Sequence, residues 1–177
     1  MLTSKKFTSL KNQSNIILHS RFLKKLSPLE RYEFLQLCHR RGYRQGEYIY
    51  HQGDPGTGMY ILEKGQIELL IEFEDEHGRK PSCIVDAPES FGAFSVGYDI
   101  RRKSSARCLS DCSLFGFFKP DFDTLRDRHP RIAIKFLEML NISITKELEL
   151  SLEKLVKVTG MGEAYSIQFD HYLHESP

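Results

Sequence analysis

Residues 49–65 read Ile-Tyr-His-Gln-Gly-Asp-Pro-Gly-Thr-Gly-Met-Tyr-Ile-Leu-Glu-Lys-Gly, and no other stretch limits the fold so tightly. The order predicts a strand, a tight turn, a second strand and another turn. Gly53 and Gly56 flank Asp54-Pro55, a combination in which proline presets the backbone and glycine takes the sharp bend. Met59 to Leu62 is a short apolar run of strand formers, and Gly65 closes it.

The same rhythm extends from Tyr43 to Phe118. Short apolar runs alternate there with turns at Gln45-Gly46, Lys64-Gly65, Gly78 and Ser110-Asp111, which predicts a sandwich or jelly roll over 43–118. Glu74 to Lys80 reads as a charged loop, a solvated hairpin tip. Helices are predicted on either side. Residues 1–15 read as a loose polar tail. A helix over 16–26 carries Ile17, Leu18, Phe22, Leu23 and Leu26. Ser27, Pro28 and Glu30 form a capping box that opens a second helix, with Gly42 as its stop. After the strands, Pro120 opens a helix that ends near His129-Pro130. A long helix follows over 131–158, with Phe136, Leu137, Leu140, Ile144, Leu148, Leu152 and Leu155 at three- and four-residue steps. Residues 159–177 read as a C-terminal tail. The expected organisation is therefore one domain over 16–158: helices 16–42, β-roll 43–118, helices 119–158.

Composition narrows the functional classes. A charged fraction of 28% and a hydrophobic fraction of 40% are ordinary for a soluble globular protein. Net charge is +1, so no global field draws the chain to nucleic acid or membrane. The apolar runs are far short of a bilayer span, and no signal-peptide core is visible, so the expectation is a cytoplasmic protein. Cys38, Cys83, Cys108 and Cys112 show no C-x-x-C spacing and sit in apolar-patterned segments, which predicts reduced, buried thiols. His171 and His174, three apart near the end of the chain, read as part of the polar tail rather than a metal site. No nucleophile motif, phosphate loop or metal-ligand cluster is present, and no catalysis or cofactor is expected. An enzyme on a metal-binding jelly roll would need a His/Glu cluster on strands.

Ile49, Gly53, Asp54, Gly56, Met59 to Leu62 and Gly65 match, position by position, the first signature of the cyclic-nucleotide-binding domain family. The chain resembles that family over about residues 20–158. The resemblance implies a mainly β fold with flanking helices: a double-stranded β-helix, or jelly roll, followed by a long C-terminal helix. It also places the family's phosphate-binding cassette at Phe91 to Cys108. There Gly92 lets the backbone approach a ligand, and a short following helix offers unpaired N–H groups. Arg102 falls at the spacing of the family's phosphate-binding arginine, which can fork onto two anionic oxygens.

The frame is kept while its chemistry changes. Phe91, Gly92, Ser95 and Arg102 fit the cassette, and Ser110-Asp111-Cys112 supports the register. Ala93 stands where the family has its ribose-binding glutamate, Lys103 where a small residue sits, and Ser104 replaces alanine. A charge-assisted hydrogen bond is worth about 1.5–3 kcal/mol. Its loss weakens a ribose contact roughly ten- to hundredfold. Lys103 acts in the other direction, favouring a phosphate or another anion.

The function these residues imply is a non-catalytic, stand-alone regulatory domain. It would bind cAMP, cGMP or a related small anionic ligand through Phe91, Gly92, Ala93, Ser95, Arg102, Lys103 and Ser104, and signal through its C-terminal helix to a protein partner not identified by the sequence. The alternative is a degenerate fold that has surrendered its pocket and serves as an interaction or scaffold module. The resemblance implies a homodimer seam along the stripe of the 131–158 helix, the plain alternative being an amphipathic helix lying on the sandwich of its own chain, and Ser143, Thr145 and Glu147 are candidates to face a ligand. Fewer than twenty residues follow Val158, too few for a helix-turn-helix module, so direct DNA binding is not expected.

Overall fold

The computed structural model describes residues 16, 19–73, 80–93 and 100–166. The tail 1–15, most of the charged loop (74–79), Ser95 with the rest of 94–99, and the tail beyond 166 with His171 and His174 lie outside the described residues.

Helix α1 (Pro28–Gln36) begins at the predicted capping box. The Glu30 N–H donates to the Ser27 hydroxyl at 3.3 Å, and the Ser27 N–H donates to the Glu30 carboxylate at 2.7 Å. Two expectations around it need correcting. Residues 21–26 form turns instead of a helix, because Ser20 offers its hydroxyl to the Leu23 N–H at 3.3 Å and diverts the backbone. And α1 stops well before Gly42: the Leu37 and Cys38 N–H groups fold back onto Phe34 and Leu35, and strand β1 (His39–Tyr43) starts at once.

The strands that follow are β2 (Tyr48–Tyr50), β3 (Gly58–Lys64), β4 (Gln66–Leu70), β5 (Ser82–Asp86), β6 (Ser90–Phe91), β7 (Ser105–Cys108) and β8 (Cys112–Phe118). They form two antiparallel four-stranded sheets, ordered β1-β8-β3-β6 and β2-β7-β4-β5. This is the expected jelly roll. Gly65 makes the β3–β4 turn at φ +99°, and a Cβ there would lie 2.7 Å from both the Asp111 carbonyl and the Cys112 sulfur. Only glycine meets both demands.

The roll interior is packed by Tyr50, Tyr60, Leu62, Ile67, Phe91, Ala106, Cys108 and Leu114, among others. Strand β3 is buried on both faces up to Glu63, in keeping with its unbroken apolar run. Its other face and that of β8 are covered by helices: Phe117 meets Phe34 at 4.6 Å and Phe136 at 5.2 Å between ring centroids. Helix α2 (Lys119–Arg128) follows β8 directly, and α3 (Pro130–Thr159) is the predicted long helix. Gly160, at φ +89°, ends α3, and residues 161–166 are helical again.

The chain divides into two compact units, Met1–Met139 and Leu140–Pro177. The division falls inside α3. No described helix is long and apolar enough to cross a membrane.

The thiols depart from expectation. All four are free, and Cys108 and Cys112 are buried, but Cys38 is half-buried and Cys83 exposed. Cys83 lies on β5, which is the edge of its sheet among the described strands.

Candidate ligand-binding site

The turn at 51–56 is built by Asp54, whose carboxylate accepts the His51 N–H at 2.8 Å. The turn then pairs as a ribbon with residues 100–102. Gly53 N–H donates to Arg102 O at 2.9 Å, Arg102 N–H to Asp54 O at 2.9 Å, and Gly56 N–H to Ile100 O at 2.8 Å. Three hydrogen bonds at the neighbouring strand ends pull the same way: the Gln52 N–H donates to the Ser105 hydroxyl at 2.8 Å, Ser105 donates to Glu72, and the Glu72 N–H donates to Gln52 Oε1 at 2.7 Å.

Arg102 is carried inward by this ribbon and is 6% exposed. Its Nη1 donates to the Gly92 carbonyl at 3.2 Å and its Nη2 to the Gly58 carbonyl at 2.7 Å. Gly92 sits at φ +70°, and a Cβ there would fall 2.5 Å from Arg102 Nη1. The two residues that the cassette spacing singles out therefore meet, and the close approach depends on the missing Cβ.

Two tyrosines complete the niche. The guanidinium carbon lies 4.3 Å from the Tyr50 ring centroid and 5.7 Å from that of Tyr60. Tyr50, Tyr60 and Phe91 form a stack with centroids 5.4–6.2 Å apart. Burial pushes the Tyr50 hydroxyl above its ordinary pKa, against the opposing pull of Arg102 and a hydrogen bond with Ser104. Burial raises Tyr60 too, again opposed by Arg102. Both rings stay neutral at physiological pH and offer the cation their π faces.

Of the other candidates, Phe91 is a buried core residue, Ala93 and Ser104 are half-buried, and Lys103 is exposed. Ser95 lies outside the described residues. Ser143 is half-buried and Thr145 exposed, while partial burial raises the Glu147 pKa. Sequence reasoning missed Tyr50, Tyr60 and Gly58. Among the described residues no group of three or more His, Cys, Asp or Glu is placed to hold a metal.

Cys83 is the cross-strand partner of Leu69, which packs against the roll core, so Cys83 shares the inner face and yet is exposed. Chemically, the site offers a fixed guanidinium, main-chain carbonyls and aromatic faces.

The family model described as "Cyclic nucleotide-binding domain" matches residues 40–129. Among curated proteins, human cGMP-dependent protein kinase 2 is 23% identical over 157 residues, 88% of this chain and 20% of the kinase. The Cyclic AMP receptor protein of Thermus thermophilus is 30% identical over 132 residues, 73% of this chain and 59% of that protein. The chain thus spans under two thirds of the length of either relative. Among solved structures, the Catabolite Activator Protein of Thermus thermophilus superposes with a TM-score of 0.64 at 28% identity, covering 76% of this chain and 62% of its own. A cyclic nucleotide-binding domain from Methylobacillus flagellatus superposes with a TM-score of 0.68 over 86% of this chain and 85% of its own; at 14% identity it bears on the fold alone.

Proposed function

The chain belongs to the cyclic nucleotide-binding domain family, and from that premise we propose that it is a non-catalytic regulatory domain that takes cAMP, cGMP or a related small anion at the niche formed around Arg102 and Gly92. The observation that carries this reading is the buried guanidinium of Arg102, whose Nη1 donates to the Gly92 carbonyl at 3.2 Å. A preset cation loses little freedom on binding, and its fork suits phosphate oxygens. Lys103, exposed one residue on, adds positive charge. With Ala93 in place of a carboxylate, the ribose contact is weak, and affinity rests on the phosphate.

Occupancy is read out through α3, which begins in the first unit and continues into the second. The apolar stripe on α3 supports pairing with a second copy. Leu137, Ile144 and Leu148 are exposed, at 48%, 45% and 62%, while Leu152 and Leu155 are half-buried and Leu140 is buried. Sedimentation equilibrium tests this: a dimer is expected, and Ile144→Glu with Leu148→Glu should return it to monomer. A wild-type monomer at high concentration rejects the pairing.

Titration calorimetry with cAMP and cGMP, paired with thermal melts, tests the ligand reading. Saturable heat and a raised Tm are expected, both lost in Arg102→Ala. A second reading draws on Tyr50, whose ring already lies over the guanidinium at 4.3 Å: the pocket is filled by the chain itself and the domain acts as an interaction module. It predicts no heat from the natural protein at millimolar ligand, and binding restored by Ala93→Glu with Lys103→Ala.

A further inference from the structure

Tyr50 belongs to the roll interior, and Ser104, half-buried, lies two residues past Arg102 on the returning chain. The hydroxyls of Tyr50 and Ser104 share a hydrogen bond. A pair of hydroxyls spends one proton between its members, and the accepting oxygen keeps its own proton for a third group. Tyr60 repeats the pattern. Its hydroxyl bonds the Arg102 guanidinium, which only donates. The phenol oxygen of Tyr60 therefore accepts, and its own proton points elsewhere.

Hydroxyl protons and a cation thus gather in one place, while the Gly92 and Gly58 carbonyls already accept from Arg102. The guanidinium charge acts through space whatever hydrogen bonds the group makes. What complements such a place is an ionised oxygen, which only accepts. Tyr50 is also fixed in advance. It is 9% exposed, packs on Tyr60 at 6.0 Å and Phe91 at 6.2 Å between ring centroids, and lies 4.3 Å from the guanidinium carbon. A hydroxyl held in this way loses little freedom when it bonds a ligand. Burial keeps both phenols protonated, and so able to donate, through the neutral range. We propose that Tyr50 is a ligand-binding, specificity-determining residue of this site: Ser104 donates to the Tyr50 hydroxyl, and Tyr50 donates to an anionic oxygen of the phosphodiester beside Arg102.

This inference rests on the ligand reading above and adds to it a group that grips the phosphate. It also gives Ser104, which stands where the family has alanine, a use: its hydroxyl aims the phenol proton of Tyr50 onward. Each hydroxyl in such a chain polarises the next, so the outer proton is a better donor than that of an isolated phenol. Ala93 has no oxygen with which to hold a sugar hydroxyl, and the chain of hydroxyls moves the recognition to the phosphate instead.

The test is titration calorimetry of the full chain with cAMP and with cGMP, on the natural protein, Tyr50→Phe, Ser104→Ala and the double variant. Phenylalanine keeps the ring over the guanidinium and removes one oxygen. Tyr50→Phe is expected to weaken binding by about tenfold or more. Ser104→Ala should weaken it severalfold in the natural background and not at all in Tyr50→Phe, because Ser104 acts through the phenol. Tyr50→Phe binding as tightly as the natural protein, or more tightly, overturns the proposal and leaves the ligand reading standing; the ring is then a cover and its hydroxyl is idle. An undiminished Ser104→Ala effect in the Tyr50→Phe background overturns the chain of hydroxyls. No heat from the natural protein with either nucleotide at millimolar concentration overturns the ligand reading and this proposal with it. If Tyr50→Phe does not fold, Ser104→Ala decides: weaker binding at an unchanged urea midpoint supports the proposal, and unchanged affinity rejects it.

Discussion

Gly92 and Arg102 are coupled by space as well as by a hydrogen bond. Any side chain at 92 must adopt a positive φ and also displace the Arg102 Nη1 that would lie 2.5 Å from its Cβ. Gly92→Ala is therefore expected to cost about 1–3 kcal/mol of stability, read from urea denaturation. In an Arg102→Ala background only the backbone cost remains, so the same change should cost less; equal costs in both backgrounds would separate the two residues. The sequence spacing revealed this pair but not its aromatic cover. Tyr48 and Tyr50 are two apart, and simple alternation puts them on one face. A register shift between them in the β2–β7 pairing sends Tyr48 outward, paired with Arg107, and Tyr50 inward, paired with Ala106. A bulge has no local signature in Tyr-Ile-Tyr, so the ring over Arg102 could be found only from the folded chain.

Among the elements, α1 was the most legible, because its start is written in four adjacent residues. Ser27→Ala should cost about 1 kcal/mol. Glu30 works twice: its carboxylate takes the Ser27 N–H, and Lys135 Nζ donates to both of its oxygens at 2.7 and 2.8 Å. The hydrogen bond from Lys135, then that from Ser27, holds its pKa below the ordinary value. With the folded pKa depressed, the contribution is full above the unfolded glutamate value of about 4.3 and is lost as pH falls through the folded pKa. Urea midpoints of the natural protein should drop across that acid window more than those of Glu30→Gln; identical profiles would remove Glu30 from the account. Strand β1 was illegible for the opposite reason. His39, Arg40 and Arg41 are all exposed, and the strand is held at a sheet edge by its backbone pairing with β8. With no apolar alternation to read, the segment passes for the end of a helix.

At the scale of the molecule, apolar matter lies in two layers, inside the roll and between the first sheet and the helices. Helix–roll–helix order was readable from the change of period along the chain. The way the layers lock was not, because it depends on rings brought together from distant segments. Phe136, fully buried, meets Phe22, Phe34, Phe117 and Phe122 at 5.2–5.8 Å between centroids. Phe136→Ala should cost about 3–5 kcal/mol in chemical denaturation, and a cost below 1 kcal/mol would show that the helices hold on by other means. The uneven burial of the thiols has a practical consequence. Burial and the adjacent Cys112 thiol push Cys108 up to about 12, and burial pushes Cys38 well above the ordinary thiol range. Cys83 alone among the four is exposed, so a maleimide dye should tag it first and, under mild conditions, once per chain. A single dye placed there would turn one solvent-facing sulfur of the second sheet into an optical handle on the roll.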